Sequence, residues 1–262
     1  MTVGMKSQSA ATTGPGGCAI LLAFALAGSA GAAQAQTGHS LRDALFGNRG
    51  SESRRSDVPP VARYMSETGG AFILDRAAPQ PLLKFENSSE VWVLSPQPAP
   101  RGDTIYKNEM GEAVLRATKL GGMTLFTSAR PGGDAASLEG RAASIQPPAV
   151  ISVNVLFQRL VQASARASRA AEHRVLFKTV DDATPATSVM VADTATVTAE
   201  AFERMAHDGD RGLLSRVARV LLAEGRKPGV SLKGGDLTVT YAPDKGVGGR
   251  PSSKRIIKIM DK

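Results

Sequence analysis

Thr104-Ile105-Tyr106-Lys107-Asn108-Glu109-Met110-Gly111-Glu112-Ala113-Val114-Leu115-Arg116 is the stretch that decides the fold class. Apolar and polar side chains alternate in Thr104–Lys107 and again in Glu112–Arg116, the period of a strand with one wet face. Asn108 to Gly111 reads as the hairpin turn between them. Working outward, the same signature recurs. Ala71–Leu74 follows Gly69-Gly70, and Leu82–Phe85 stops at Asn87-Ser88-Ser89. Glu90–Leu94 runs into Pro96, Pro98 and Pro100, with Val91, Trp92 and Val93 reading as a central strand. Met123–Phe126 follows Leu120-Gly121-Gly122. Short strands at roughly ten-residue spacing predict an antiparallel β-rich unit over residues 61–130, either a meander, a sandwich or a small barrel.

The pattern changes beyond it. Residues 131–149, bounded by Pro131-Gly132-Gly133 and Pro147-Pro148, read as a surface linker. Residues 150–262 read as an αββ-αβββ unit, which makes the whole chain α+β. Val153, Leu156, Phe157, Leu160 and Val161 recur at helical spacing and predict one apolar helix face. Val175–Phe177 reads as a strand, and Ser188–Val197 as strand pieces. Thr198 reads as the cap of a second helix, broken at Asp208-Gly209-Asp210, resumed from Leu213 to Leu221 and stopped at Gly225. Leu237–Tyr241 alternates as a strand, and Arg255–Ile259 reads as a lysine-guarded edge strand closing the sheet.

Residues 1–35 read as a cleavable signal peptide. The run Ala19–Ala27 is apolar but far shorter than the roughly 20 residues of a spanning helix. Ala33-Gln34-Ala35 is a small-x-small cleavage site, which places the cut before Gln36. Export to the periplasm follows. The cut removes Lys6, taking the net charge from +8 to +7, and removes Cys18, the one cysteine of the chain. A mature chain without cysteine has no disulfide, thiol nucleophile or cysteine metal site. Residues 36–60 carry Gly47, Gly50 and Pro59-Pro60 and read as a flexible tether, with Leu41–Phe46 as a short apolar patch within it.

Catalytic signatures are missing. The sequence contains no G-x-S-x-G, no phosphate-cradling glycine motif and no H-E-x-x-H, so no cofactor and no metal are expected. Gly246-Val247-Gly248-Gly249-Arg250 reads as a flexible hairpin loop. Two candidate sites remain. Arg250, Lys254, Arg255 and Lys258 form the densest basic cluster, a candidate binding surface for anionic partners. His207, Asp208 and Asp210 place an imidazole and two carboxylates within four residues, a candidate charged site, although the further oxygen ligands of a calcium loop are missing.

Phe72-Ile73-Leu74-Asp75-Arg76, Pro98-Ala99-Pro100-Arg101-Gly102-Asp103 and Leu120-Gly121-Gly122 resemble segments of a family of exported Gram-negative proteins known only as a domain of unknown function. The resemblance runs from Gly70 to Phe126, implies a periplasmic location and implies no site residues. The expectation from the whole sequence is a non-enzymatic binding module of the cell envelope. Its expected partner is an envelope protein, a wall polymer or an anionic lipid surface, rather than nucleic acid, and no later stretch is apolar enough to span a membrane. The alternative is a periplasmic hydrolase whose site is assembled from dispersed residues.

Overall fold

The computed structural model describes residues 58–68 and 70–262; the expected signal peptide and most of the expected tether lie outside them. The β-rich unit contains nine strands: β1 Val61–Ser66, β2 Ala71–Asp75, β3 Leu82–Phe85, β4 Val91–Val93, β5 Ser95–Pro98, β6 Thr104–Lys107, β7 Ala113–Ala117, β8 Met123–Leu125 and β9 Asp134–Arg141. All neighbours are antiparallel, in the order β4-β3-β2-β1-β9-β8-β7-β6-β5. The two edge strands, β4 and β5, are separated along the chain by Leu94 alone, so the sheet curls into a nearly closed barrel. Of the three architectures expected, the barrel is the one adopted. Its core is Tyr64, Phe72, Leu74, Leu83, Leu94, Leu115 and Leu125 with their neighbours.

Three strands fall where none was expected, among them β1, whose inward positions Ala62, Tyr64 and Ser66 are only partly apolar. β9 occupies half of the stretch read as linker and joins β8 to β1. Its inward positions include Asp134 and Ala136, so the strand carries no apolar alternation. Asp134 is instead fixed by Thr68, whose backbone N–H and hydroxyl both donate to it. β5 contains Pro96 and Pro98. Spaced two apart, their missing donors fall on the same side of the strand, and Ser95 and Gln97 remain to pair with β6.

The second half contains helices α1 Val153–Ala171, α2 Ser188–Asp208, α3 Arg211–Leu214 and α4 Ser253–Met260, with strands β10 Leu176–Thr179, β11 Arg219–Glu224, β12 Gly229–Lys233 and β13 Asp236–Tyr241. The sheet runs β10-β11-β13-β12, parallel except for the β12–β13 hairpin. Val220, Leu222, Leu237, Val239 and Tyr241 face the helices and are buried.

Three expectations are corrected. Ser188–Val197 is helix, the start of α2. Its β-branched residues suggest strand, but Thr194, Thr196 and Thr198 each donate to the carbonyl four residues back, which satisfies the hydroxyls within a helix. Ala192, Ala195 and Ala199 on α2, with Ala163, Ala167 and Ala170 on α1, are small enough to let the two helices approach closely. Thr198 is therefore an interior residue, and the helix ends at Gly209 (φ 94°). Leu213–Leu221 is not one helix but the short α3 followed by the start of β11. Arg255–Ile259 belongs to α4, where Ile256 and Met260 lie four apart and are buried. Ser252 caps this helix, its hydroxyl accepting from the Arg255 N–H.

The barrel and the α/β layer keep separate apolar cores. What joins them is polar. Arg250 is 5% exposed; its Nε donates to Asp193 of α2 at 2.5 Å and its Nη2 to the Val91 carbonyl of β4 at 2.8 Å. Glu90, 1% exposed, lies 3.4 Å from Arg250 and accepts from the Ser253 N–H at the start of α4. The glycine-rich stretch before Arg250 is no free loop. Pro243–Gly249 forms 3-10 turns with Gly248 packed against Val93, and a Cβ at Gly249 would collide with the Ala242 carbonyl. Only glycine lets the chain approach this closely and deliver Arg250 into the joint.

Burial opposes the charge on Arg250, but Asp193 and Glu90 outweigh it and hold the guanidinium above its usual range. Burial pushes the Glu90 carboxyl above the ordinary carboxylate range, with Arg250 and Ser253 pulling it back only in part. Arg250→Met leaves two carboxylates and a carbonyl without their cation. It is expected to destabilise the fold by about 3–5 kcal/mol in chemical denaturation. Glu90→Gln is expected to cost less. With a raised folded-state pKa, the native state holds more protons than the unfolded one, so stability falls as pH rises from the ordinary carboxylate range through the raised value. The glutamine variant is expected to flatten that part of the stability–pH curve, and an unchanged slope would contradict the assignment.

Candidate functional site

A cleft of about 760 Å³ opens between one end of the barrel and the helices. Phe85, Trp92 and Phe126 supply its aromatic surface. Asn87 and Ser88 come from the β3–β4 turn, and Asn108 and Glu112 from the β6–β7 hairpin. Glu200, Arg204 and Lys254 come from α2 and α4. The aromatic surface continues the barrel core. Tyr64 stacks on Phe72 at 5.3 Å between ring centroids, Phe72 meets Phe85 at 6.1 Å, and Phe85 meets Trp92 edge-on at 5.6 Å. The rings lock one another in geometries that aromatic quadrupoles favour. The row runs from the barrel interior out to the cleft.

The charged groups on the other wall differ in what already occupies them. Glu200 is buried and accepts from the Ser88 hydroxyl, from the Ser89 N–H at 3.0 Å and from the Ser89 hydroxyl at 2.6 Å. Its role is to pin the β3–β4 turn onto α2. Glu112 binds Lys254 Nζ through both oxygens at 2.7 Å and accepts from Asn108 Nδ2 at 2.9 Å. Those two donors hold its carboxyl below the ordinary range. Arg204 is the exception. Four residues after Glu200, it sits on the same face of α2. Its Nη1 donates to the Ser253 hydroxyl at 2.6 Å, but no carboxylate lies within salt-bridge reach of it among the described residues. A second cavity, beside Glu90 and Arg250, is only about 40 Å³. That is room for roughly a water molecule.

The basic cluster expected as a binding surface is distributed differently. Arg250 is buried in the joint, so it is not part of any open face. Lys254 lines the cleft but is paired with Glu112. Arg255 is 3.7 Å from Glu109, and Lys258 is exposed on α4. Acidic residues of the β6–β7 hairpin thus neutralise much of the cluster. His207, Asp208 and Asp210 are exposed at the C-terminal end of α2 and do not line the cleft. Among the described residues no three His, Cys, Asp or Glu side chains converge to hold a metal. Asp75 and Arg76 do not pair with each other. Asp75 is buried and accepts from Ser144 and the Ile145 N–H, while Arg76 donates to the Pro59 carbonyl. Asp103 pairs with Arg116.

Sequence reasoning missed Arg204, Glu200 and the aromatic wall. Glu200 and Arg204 carry the weak signal of an i, i+4 charge pair, and Trp92 is the one tryptophan of the chain. Nothing local announces that a barrel mouth lies opposite them. No helix among the described residues is long and apolar enough to cross a membrane. No curated protein and no solved structure matches the chain. A family model matches residues 40–260, which spans the barrel, the α/β layer and the joint between them, and the chain therefore belongs to the family described as a domain of unknown function, DUF4908.

Proposed function

We propose that this protein is an exported, non-enzymatic binding module of the periplasm whose cleft receives an amphipathic ligand bearing an anionic group. The observation that carries this reading is Arg204, a half-buried cation with no carboxylate partner among the described residues, facing an aromatic wall across a cleft of ligand size. The apolar part of such a ligand lies against Phe85, Trp92 and Phe126, and its anion accepts from the Arg204 guanidinium. Anionic lipid and wall-polymer groups are envelope chemistry of this kind. The C-terminal basic cluster, largely tied up by Glu109, Glu112 and Asp193, is less suited to electrostatic docking than the sequence suggests.

The placement of the two described histidines supports binding over hydrolysis. Both ring nitrogens of His173 contact backbone carbonyls, Ala171 at 2.9 Å and Val217 at 2.8 Å, and His207 is exposed at the end of α2. Neither lines the cleft. Export rests on the apolar run Ala19–Ala27 and on Ala33-Gln34-Ala35.

Trp92 makes the binding reading directly testable, because it lines the cleft and no other tryptophan contributes to the emission. Titration with a long-chain fatty-acid anion is expected to change Trp92 fluorescence saturably. Arg204→Gln is expected to raise the Kd for that anion roughly 10- to 100-fold, the equivalent of the ~1.5–3 kcal/mol of a hydrogen bond to a charged group. Affinity for the corresponding neutral alcohol should stay the same. Equal losses for both probes, or none, would count against an anion site at Arg204. The export reading is checked by the N-terminal sequence of protein recovered from a periplasmic fraction. It is expected to begin at Gln36, and an intact N-terminus in the cytoplasm would contradict it.

A further inference from the structure

The cleft and the joint share one hydrogen-bonded chain. Arg204 Nη1 donates to the Ser253 hydroxyl at 2.6 Å, and that hydroxyl donates to Glu90 Oε2 at 2.5 Å. While Glu90 is ionised the order of donation is fixed. A guanidinium only donates and a carboxylate only accepts, so the one hydroxyl proton points at Glu90. Ser253 opens α4, and its N–H also donates to Glu90, at 3.0 Å. Backbone and side chain thus hold the serine in one place, and both it and Glu90 are buried. A single hydroxyl separates the Arg204 cation from the carboxylate, within the roughly 4–6 Å at which an opposite charge favours the ionised form.

The other groups around Glu90 are committed elsewhere. Arg250 lies 3.4 Å from it but is bound at 2.5 Å to Asp193. Glu200, a second carboxylate that Glu90 feels, accepts from Ser88 and Ser89. Glu109 accepts from the Ser252 N–H at 2.8 Å, and Lys254 is paired with Glu112. Arg204 is the cation with no carboxylate in salt-bridge reach among the described residues, and it lines the cleft. The small cavity beside Glu90 shares Trp92, Asn108 and Lys254 with the cleft lining, so the carboxyl lies close to cleft solvent.

We infer that an anion bound at Arg204 draws a proton from solvent onto Glu90, so that the cleft takes up its ligand and a proton together. The inference rests on the anion site at Arg204. With the cleft empty, Arg204 supports the Glu90 charge through Ser253. An anion in the cleft claims the guanidinium and adds a like charge on the same side of the carboxyl. Both effects disfavour the ionised form, and the carboxylate becomes a neutral carboxyl by taking one proton from the buffer. Burial already holds the Glu90 carboxyl above the ordinary carboxylate range. The sign follows from linkage. Below the Glu90 pKa of the empty protein, the carboxyl is protonated in both states and binding is tightest. Binding weakens as pH rises from that value to the higher one of the complex, and above both it is weak and level.

Decanesulfonate, whose own charge is constant across the range, tests this through Trp92 emission from about pH 5 to about pH 8. The wild-type Kd is expected to rise roughly tenfold over that range, the equivalent of one unit between the two Glu90 pKa values. Glu90→Gln, which carries no charge at either end, is expected to keep the tight affinity throughout. The carbon-13 resonance of the Glu90 carboxyl, which needs no variant, is expected to move toward its protonated position when sulfonate is added at constant pH. A wild-type Kd level with pH overturns the inference and leaves the anion site standing. So does a carboxyl resonance that stays in place, or a slope that survives Glu90→Gln and so belongs to Glu112, Glu200 or His207. Absence of saturable binding, or binding that Arg204→Gln leaves intact, overturns the anion site and the inference with it.

Discussion

One buried cation decides how this molecule is put together. The barrel and the α/β layer each have an apolar core, and the two cores do not merge. Between them stands Arg250, reaching Asp193 on α2, the Val91 carbonyl on β4 and Glu90 beside it. A joint of this kind contributes little net energy, because desolvating the charges offsets most of their attraction. What it supplies is geometry. A guanidinium has fixed donor directions, and here those directions are satisfied only when β4, α2 and the start of α4 are brought to one point. Apolar surfaces would tolerate sliding between the two halves; a hydrogen-bonded joint does not.

The cleft is a consequence of that placement. Its aromatic wall belongs to the barrel and its charged wall to α2 and α4, so its width is set by the joint. Glu200 adds a second fixed point by holding the β3–β4 turn against α2 through Ser88 and Ser89. Most of the charge around the cleft is consumed in this way: Glu200 by serines, and Glu112 and Lys254 by each other. Against that background the guanidinium of Arg204, hydrogen-bonded to a serine hydroxyl and to no carboxylate among the described residues, is the group on which the proposed anion recognition rests. Part of the C-terminal basic cluster is thus used inside the molecule, where Arg250, Lys254 and Arg255 reach Glu90, Glu112 and Glu109 of the barrel side.

The barrel was legible in the sequence wherever one face of a strand is apolar and the other wet, as in Thr104–Lys107 and Ala113–Ala117. It was illegible where the barrel uses other means. β9 places Asp134 and Ala136 inward, and β5 is half proline, so neither carries the alternation that marks a strand. In the second half the difficulty was the reverse, with residues of strand-like preference held in helices by tertiary context. Thr194, Thr196 and Thr198 turn their hydroxyls back on the helix carbonyls. The isoleucines of α4 read as an impure strand because only Ile256 and Met260, four apart, face the core. The stripe of α1 was visible as a pattern, but the sequence could not say that only Leu156 and the alanines beyond it are buried. The cleft was the least legible feature, since it brings turn residues near 87 and 108 against helix residues near 200 and 254. Only the barrel closure and the Arg250 joint create that proximity.

Unfolding watched by two probes tests the joint most directly. Trp92, the one tryptophan, reports on the barrel, while helical circular dichroism reports on the second half, where the four α-helices of the described residues lie. If Arg250 fastens the halves into one cooperative body, the two signals lose their native values at the same urea concentration and with the same slope. Separate midpoints, with the helices surviving a melted barrel or the barrel surviving melted helices, would contradict a joint that holds the molecule together.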